Sequence, residues 1–223
     1  MKPIIVAIDG PAGAGKSTVA KTLAKKLSYT YMDTGAMYRA FALKAARDGI
    51  DLENEDALRA SLAATNIELH EDAGRPRVVL DGRDVAGEIR TPELSQSASR
   101  VSALKPVRER MVELQRAMGA RGGIVAEGRD IGTVVFPGAE VKVFLTAGSE
   151  ERARRRFAEL KGNGKGVTLE ETVAEMEQRD RRDREREYAP LRQADDAIAI
   201  DSTGMTVDEV VERIMKEIKK KTR

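Results

Sequence analysis

The rhythm of apolar and polar positions changes along this chain. From Pro3 to Asp9, PIIVAID is a short β-branched apolar run without alternation, which predicts a central parallel strand buried on both faces. Beyond a glycine-rich turn, Val19, Ala20, Leu23, Ala24 and Leu27 recur at helical spacing and predict a helix over 17–27. YTYMDTGAMYR then reads as a short strand feeding a turn and a second helix through Phe41, Leu43 and Ala46. Ile124–Ala126, Val141–Thr146 and Ala197–Ile200 are further short apolar strands, each ended by a polar or glycine residue. Strands alternating with helices predict an α/β fold, a parallel sheet covered by helices on both sides.

The middle of the chain keeps a different period. Asn66–Glu71, Arg77–Asp81 and Arg83–Ile89 alternate polar and apolar residues, with EDAGRP and DG between them. These signals predict a small antiparallel β-ribbon inserted into the α/β frame. Between Glu150 and Tyr188 the chain becomes strongly charged, and KGNGKG at 161–166 predicts a mobile loop between two helices. Within that stretch, QRDRRDREREYAPL (178–191) places five arginines and four acids in the nine positions from Arg179 to Glu187. The tripeptide GRD occurs at 82–84 and 128–130 without any repeat around it; only the second copy follows a core strand, where α/β sites form.

Composition narrows the classes. At 223 residues the chain suits one α/β unit with an insertion and can bury a sizeable core. A formal net charge of +2 does not demand a polyanionic partner. Cysteine is absent, which removes thiolate metal sites, and His70 is the only histidine, so His-rich metal sites and Ser-His-Asp triads have almost nothing to work with. His70 itself reads as a surface strand residue. Met1 is followed directly by the first strand, and no 18-residue apolar span occurs, so a cytoplasmic protein without membrane attachment is expected.

GPAGAGKS, comprising Gly10, Pro11, Ala12, Gly13, Ala14, Gly15, Lys16 and Ser17, fits G-x-x-x-x-G-K-[ST] between a buried strand and a helix. Glycines let successive backbone N–H groups turn inward around phosphate oxygens. The helix that follows, with Ser17 and Thr18 in its first turn, points its positive end at the same charge. Lys16 is placed to bridge the outer phosphates of ATP, and the Ser17 hydroxyl to ligate Mg²⁺. A GTPase would want N-K-x-D, and none occurs. A motor or transporter ATPase would want four apolar residues ending in paired acids; IVAEG is the nearest approach and falls short. A small-molecule kinase needs a second site facing the γ-phosphate, and DTGAMYR at 33–39 emerges after the second strand; its residues read either as a phosphate-monoester site through Thr34, Gly35 and Arg39 or as a helix N-cap with a surface arginine.

The chain resembles the bacterial cytidylate kinases, the CMP kinases of the nucleoside monophosphate kinase group. IDGPAGAGKST, YMDTGAMYR, VAGEIRTPE, EGRDIGTVVFP, the RDRRDRERE run and APL carry the resemblance from residue 4 to beyond 190. It implies a P-loop kinase core with an inserted monophosphate-binding region and an arginine-rich helical lid. The core is then 1–32, 98–150 and 187–223, the monophosphate-binding region 33–97 and the lid 151–186. By position, Thr34, Arg39, Ser99, Arg108, Gly128, Arg129, Asp130, Arg179, Asp183 and Arg186 match the family's CMP-contacting residues. Ser99, Arg108 and Asp130 match those that read the cytosine edge, where a carboxylate accepts from the N4 amino group and arginine and serine donate to N3 and O2. Many family members carry serine where Thr34 stands; the hydroxyl is kept.

On a helix over 175–187, Arg179, Asp183 and Arg186 share one face, with Arg182 close to it and Arg181 and Arg184 pointing elsewhere. Surface ion pairs contribute only about 0.3–0.5 kcal/mol each, a poor reason to collect so many charges. Phosphoryl transfer supplies a better one, because two polyphosphates repel and charge spreads over the transferring oxygens. The reading is therefore half of a lid, with Arg179 and Arg186 as its working residues; the resemblance implies that Arg129 joins them in catalysis and that Asp183 holds the ribose hydroxyls. ERARRRF at 151–157 is the facing arm, with Arg154 reaching ATP. Asp33 is expected to help hold Mg²⁺-bound water. The expected activity is transfer from ATP with Mg²⁺ to CMP and dCMP by a monomer with small-molecule partners and no nucleic acid. Two rivals remain: a P-loop kinase for AMP, dTMP or a hydroxyl metabolite, and a nucleotide-dependent switch whose basic 152–186 region grips RNA.

Overall fold

The computed structural model describes residues 3–72, 75–162 and 166–222. Parts of the EDAGRP turn (Ala73 and Gly74) and of the KGNGKG loop (Asn163, Gly164 and Lys165) lie outside the described residues. Backbone contacts divide the chain into two units, Met1–Met32 with Gly119–Arg223, and Asp33–Met118. Residues 98–118 thus belong with the second unit and 151–186 with the first.

In chain order the elements are β1 (Ile5–Asp9), α1 (Lys16–Leu27), β2 (Thr30–Asp33), α2 (Thr34–Arg47), α3 (Glu55–Ala63), β3 (Ile67–Asp72), β4 (Arg75–Leu80) and β5 (Arg83–Asp84). There follow α4 (Pro92–Val101), α5 (Lys105–Gly119), β6 (Ile124–Gly128), β7 (Val141–Thr146), α6 (Ser149–Gly162), α7 (Leu169–Glu185), β8 (Ile198–Asp201) and α8 (Val207–Lys221). Ile131–Val135 forms a wide helical turn after β6.

The larger sheet has the order β2-β6-β1-β7-β8. The apolar run of β1 takes the centre, and its pairings with β6 and β7 are parallel, as is that of β7 with β8. Val6, Ala7 and Ile8 are buried, as a strand with neighbours on both edges and helices on both faces requires. Asp9 pairs in register with Gly128 of β6 and Phe144 of β7, so the loops after these three strands leave the sheet at one edge. Amphipathic α8 adds Val210, Val211, Ile214 and Ile218 to the core of α1 and the sheet. A Thr206–Glu209 capping box starts it, and Lys219, Lys220 and Lys221 complement its C-terminal dipole.

The second unit has its own core, with Met37 and Phe41 of α2 against Leu58, Leu62, Ile67, Val78, Leu80 and Met111. Full burial of a side chain the size of Phe41 contributes on the order of 2–3 kcal/mol. The ribbon is antiparallel, order β3-β4-β5. Asp81 and Gly82 both take positive φ, 48° and 84°, the two-residue turn expected of DG. The third ribbon strand expected over Arg83–Ile89 shortens to Arg83–Asp84. The Asp84 carboxylate accepts from Ala86 N–H and Ile89 N–H donates to Val85 O, so the chain curls and buries Val85 and Ile89 at helical spacing. His70 lies exposed on β3 beside Glu68, as the alternation implied.

Candidate active site

The loop Gly10–Ser17 joins the end of β1 to the start of α1. Gly10 has φ 150°, and a Cβ there would stand 1.9 Å from Leu145 O, so the loop requires glycine at this position. Gly15 caps α1 in the left-handed conformation and offers no side-chain cap to the helix. Helices α2, α3, α4, α7 and α8 by contrast receive side-chain caps from Asp33, Asn54, Thr91, Thr168 and Thr206. The first N–H groups of α1 therefore remain available to a phosphate anion.

Lys16 is buried at 5% exposure, with Nζ donating to Pro11 O at 2.7 Å. Burial, with Arg129 and Arg179 nearby, pushes its ammonium down to about 7 against the counter-pull of Glu127 and Asp9. A negative ligand at this point would restore the charged form. The Ser17 hydroxyl donates to Glu127 Oε1, which also accepts from Tyr31 OH at 3.0 Å. Glu127 is the acid of IVAEG, set near the end of β6, and the strand order seats β6 beside β1.

Asp9, the last residue of β1, accepts from Ile131 N–H and Gly132 N–H, each at 2.7 Å. Burial raises its carboxyl to about 6 in spite of those two bonds, and Asp130 adds to the rise. Asp9 thereby pins the turn that follows Gly128, Arg129 and Asp130.

The arginines divide sharply. Arg129 Nε donates to Asp183 Oδ2 at 2.8 Å, and Arg179 Nε stands 4.0 Å from the same oxygen. Burial alone would raise Asp183; Arg129, Arg179 and Arg186 outweigh it and hold the carboxyl below its ordinary value. Burial likewise works against charged Arg129, and Asp183 more than compensates. Helix α7 ends at Glu185 rather than running to 187: Arg186 has an extended backbone, ψ 139°. Its side chain still turns inward, Nε donating to Ala189 O at 2.6 Å and Nη2 standing 3.4 Å from Asp130 Oδ1. Arg181 and Arg184 are exposed. Arg154 is exposed and pairs with Glu150 one turn earlier, whereas Arg155 reaches Ser202 Oγ and O at 3.0 Å each.

In the second unit, Asp33 accepts from Ala36 N–H at 2.9 Å and pairs with Arg39 at 2.9 Å. Thr34 is buried at the start of α2, and a Cβ on Gly35 would lie 3.0 Å from Arg39 Nη1. Arg108 Nη1 donates to Ser102 O at 3.1 Å and lies over the Tyr38 ring; Ser102 Oγ in turn donates to Ser99 O. The buried Ser99 hydroxyl has no hydrogen-bond partner among the described residues. Ser99 and Arg108 thus form one cluster in the second unit, and Asp130 belongs to the first. Sequence reasoning missed Glu127, Asp9, Tyr31, Arg152 and Asp180; an acid closing the strand beside the glycine-rich loop was the only signal for any of them.

An uncapped helix start and a buried lysine on a glycine loop, where β1 leaves a parallel sheet, define the class of P-loop α/β proteins. The family model described as Cytidylate kinase matches residues 6–220. The cytidylate kinase of Geobacter sp. (strain M21) is 53% identical over 218 residues, 98% of this chain and 94% of that protein. The cytidylate kinase of Pelotomaculum thermopropionicum is 54% identical over 214 residues, 96% of this chain and 95% of its own. The solved structure of an uncharacterized protein from Eubacterium ventriosum ATCC 27560 covers 98% of this chain and 99% of its own, with a TM-score of 0.55 at 17% identity, a likeness of fold. The chain belongs to the cytidylate kinase family.

Proposed function

We propose that this protein transfers the γ-phosphoryl group of ATP directly to CMP, giving ADP and CDP, and that dCMP serves as a second acceptor. Full-length kinship with the cytidylate kinases supports the reaction. The observation that carries the chemistry is a buried lysine on a glycine-bearing loop before an uncapped helix start, within the electrostatic reach of Arg129 and Arg179.

The phosphate monoester of CMP is already anionic at neutral pH, so an acceptor oxygen can attack the γ-phosphorus without a general base. The bond to the β-phosphate oxygen breaks, and its electrons leave with ADP. What the protein must supply is position and positive charge. The N-terminus of α1 and Lys16 hold the donor phosphates, while Arg129, Arg179 and Arg186 neutralise the transferring group. Asp183, Thr34 and Arg39 hold the ribose and phosphate of CMP, and Ser99, Arg108 and Asp130 read cytosine. Uracil reverses hydrogen-bond polarity at position 4, so Asp130 favours cytosine.

The oxygens present suit Mg²⁺: the Ser17 hydroxyl beside the Glu127 carboxylate offers hard donors, and among the described residues there is no all-protein cluster of three or more metal ligands. Few protein ligands are usual where substrate phosphates complete the coordination. Ser17 and Glu127 would hold the ion, which when bound offsets negative charge on the donor phosphates. Asp33, occupied as the cap of α2 and partner of Arg39, contributes by orienting that arginine.

In this reading 33–97 is the monophosphate-binding region and 151–186 a lid whose closure excludes water. The protein works in the cytoplasm as a monomer on small nucleotides; no helix among the described residues is long and apolar enough to cross a membrane. The test is a coupled assay with ATP and Mg²⁺ across CMP, dCMP, UMP, AMP and dTMP. CMP and dCMP should give the highest kcat/KM, and AMP or dTMP ahead of them would overturn the acceptor assignment.

A further inference from the structure

Two residues without a role in the proposed transfer grip the phosphate loop on both sides of one residue, Ala12. Asp180 of α7 accepts from Ala12 N–H through Oδ1 at 3.1 Å. Arg152 of α6 donates to Ala12 O through Nη1 at 2.9 Å. The same Nη1 lies 2.6 Å from Asp180 Oδ2, closing a ring of contacts, and Arg152 Nε donates to Ala147 O at 3.2 Å just after β7. Both side chains are nearly enclosed, at 11% and 5% exposure.

The packing around this ring is close. Ala12, Ala153 and Met176 form a small apolar cluster with Val173 against it. A Cβ on Gly13 would stand 2.6 Å from Arg152 O and 2.8 Å from Met176 Cε, so this glycine also serves as the seat for α6 and α7. Along α7, Thr172, Met176, Asp180 and Asp183 are buried at helical spacing. The face that grips the loop through Asp180 therefore continues, three residues on, to the Asp183 carboxylate that meets Arg129 and Arg179.

A buried ion pair is a poor way to gain stability, since its desolvation offsets most of its attraction. Its value here is geometric: a planar guanidinium and a carboxylate, each with fixed hydrogen-bond directions, allow one arrangement of loop against helix. We infer that Arg152 and Asp180 are positioning residues, an ionic clamp on the N–H and C=O of Ala12 that holds the phosphate loop and α7 in register so that Arg179 and Arg129 act at the phosphates bound by Lys16. The inference rests on the reading of Gly10–Ser17 as the ATP site.

Arg152→Ala, Asp180→Ala and the double variant are compared in melting temperature, in ATP affinity by calorimetry without acceptor, and in CMP-dependent turnover. Each single variant strands a buried charge and should lose both melting temperature and turnover. The double variant strands none, so most of the melting temperature should return, while kcat stays about 100-fold below native, the scale of a misplacement of about 1 Å. Recovery of native ATP affinity and kcat together with melting temperature would overturn the clamp, leaving a pair that only neutralises itself. Should the double variant not fold, Arg152→Lys decides: it keeps a charge beside Asp180 but lacks the fork that reaches both carbonyls. A folded Arg152→Lys protein with kcat down about tenfold supports the clamp; native kcat overturns it. Native protein that binds ATP but ignores CMP would overturn the acceptor assignment instead, with ATP affinity still reading the clamp.

Discussion

The β-ribbon and the phosphate-loop end of the parallel sheet are both rich in charge, but they treat it in opposite ways. On the ribbon, Arg77 and Asp84 pair at 2.8 Å with 46% and 37% of their side chains exposed. At the loop, Arg129 and Asp183 pair at the same 2.8 Å with 15% and 5% exposed. Equal geometry therefore has unequal cost. Water already solvates the ribbon pair, and its attraction nets about 0–1 kcal/mol. Removing the second pair from water costs several kcal/mol per ion before attraction returns any of it. Folding alone would not select the buried arrangement. On the proposed function, Asp183 holds Arg129 and Arg179 in place until phosphate-bearing ligands arrive.

The sharpest way to break this contrast is Lys16→Ala. Loss of the one ammonium inside the loop should lower kcat by at least about 10²–10³-fold in the coupled assay, with far-UV circular dichroism unchanged. Activity near native would remove Lys16 from the transfer. Next in size, Asp130→Asn replaces an acceptor by an amide that can also donate. Its kcat/KM for CMP should fall about 10–100-fold and the gap to UMP should close, while KM for ATP holds. Equal losses toward both nucleotides would refute base reading there.

A smaller effect follows from protonation. The free protein holds Lys16 at about 7, well below the ordinary 10.5, chiefly through burial. Triphosphate beside it favours the charged form, so ATP binding at pH 8 should take up as much as about one proton, and ATP affinity should weaken as pH climbs above 7. Between these two values the unfolded chain holds more protons than the folded one, so the Lys16 contribution to stability increases with pH across that window. Calorimetry in buffers of different ionisation enthalpy measures the uptake, which should vanish in Lys16→Met. The smallest effect belongs to the ribbon: Arg77→Ala should shift unfolding free energy by no more than about 0.5 kcal/mol and leave turnover untouched. A large loss there would erase the distinction between the two regions.

What could be read from the linear chain was whatever neighbouring residues decide among themselves. PIIVAID, the apolar spacing from Val19 to Leu27 and the DG turn are local signals, and the strands, the helix and the two-residue turn formed where they lie. Legibility failed where a partner comes from elsewhere in sequence. Glu127 matters because the strand order sets β6 against β1, which brings its carboxylate to Ser17, 110 positions away. Asp9 looked like the end of an apolar run, and its bonds to Ile131 and Gly132 depend on the same adjacency. Asp180 was one acid among many in a charged stretch; only the packing of α7 on Ala12 distinguishes it from exposed neighbours. Local chemistry could also mislead, since alternation through Ile89 suggested a long third ribbon strand until the Asp84 carboxylate turned the backbone.

Arg179→Ala puts the central claim to the most direct test, because Asp183 would keep Arg129 at 2.8 Å and no buried acid would be stranded. Measured together at saturating ATP and CMP, kcat should drop about 10²–10³-fold while the melting temperature stays within a few degrees of native. A protein that melts much earlier yet turns over at the native rate would contradict the account, for its inward-facing arginines would then be serving the fold.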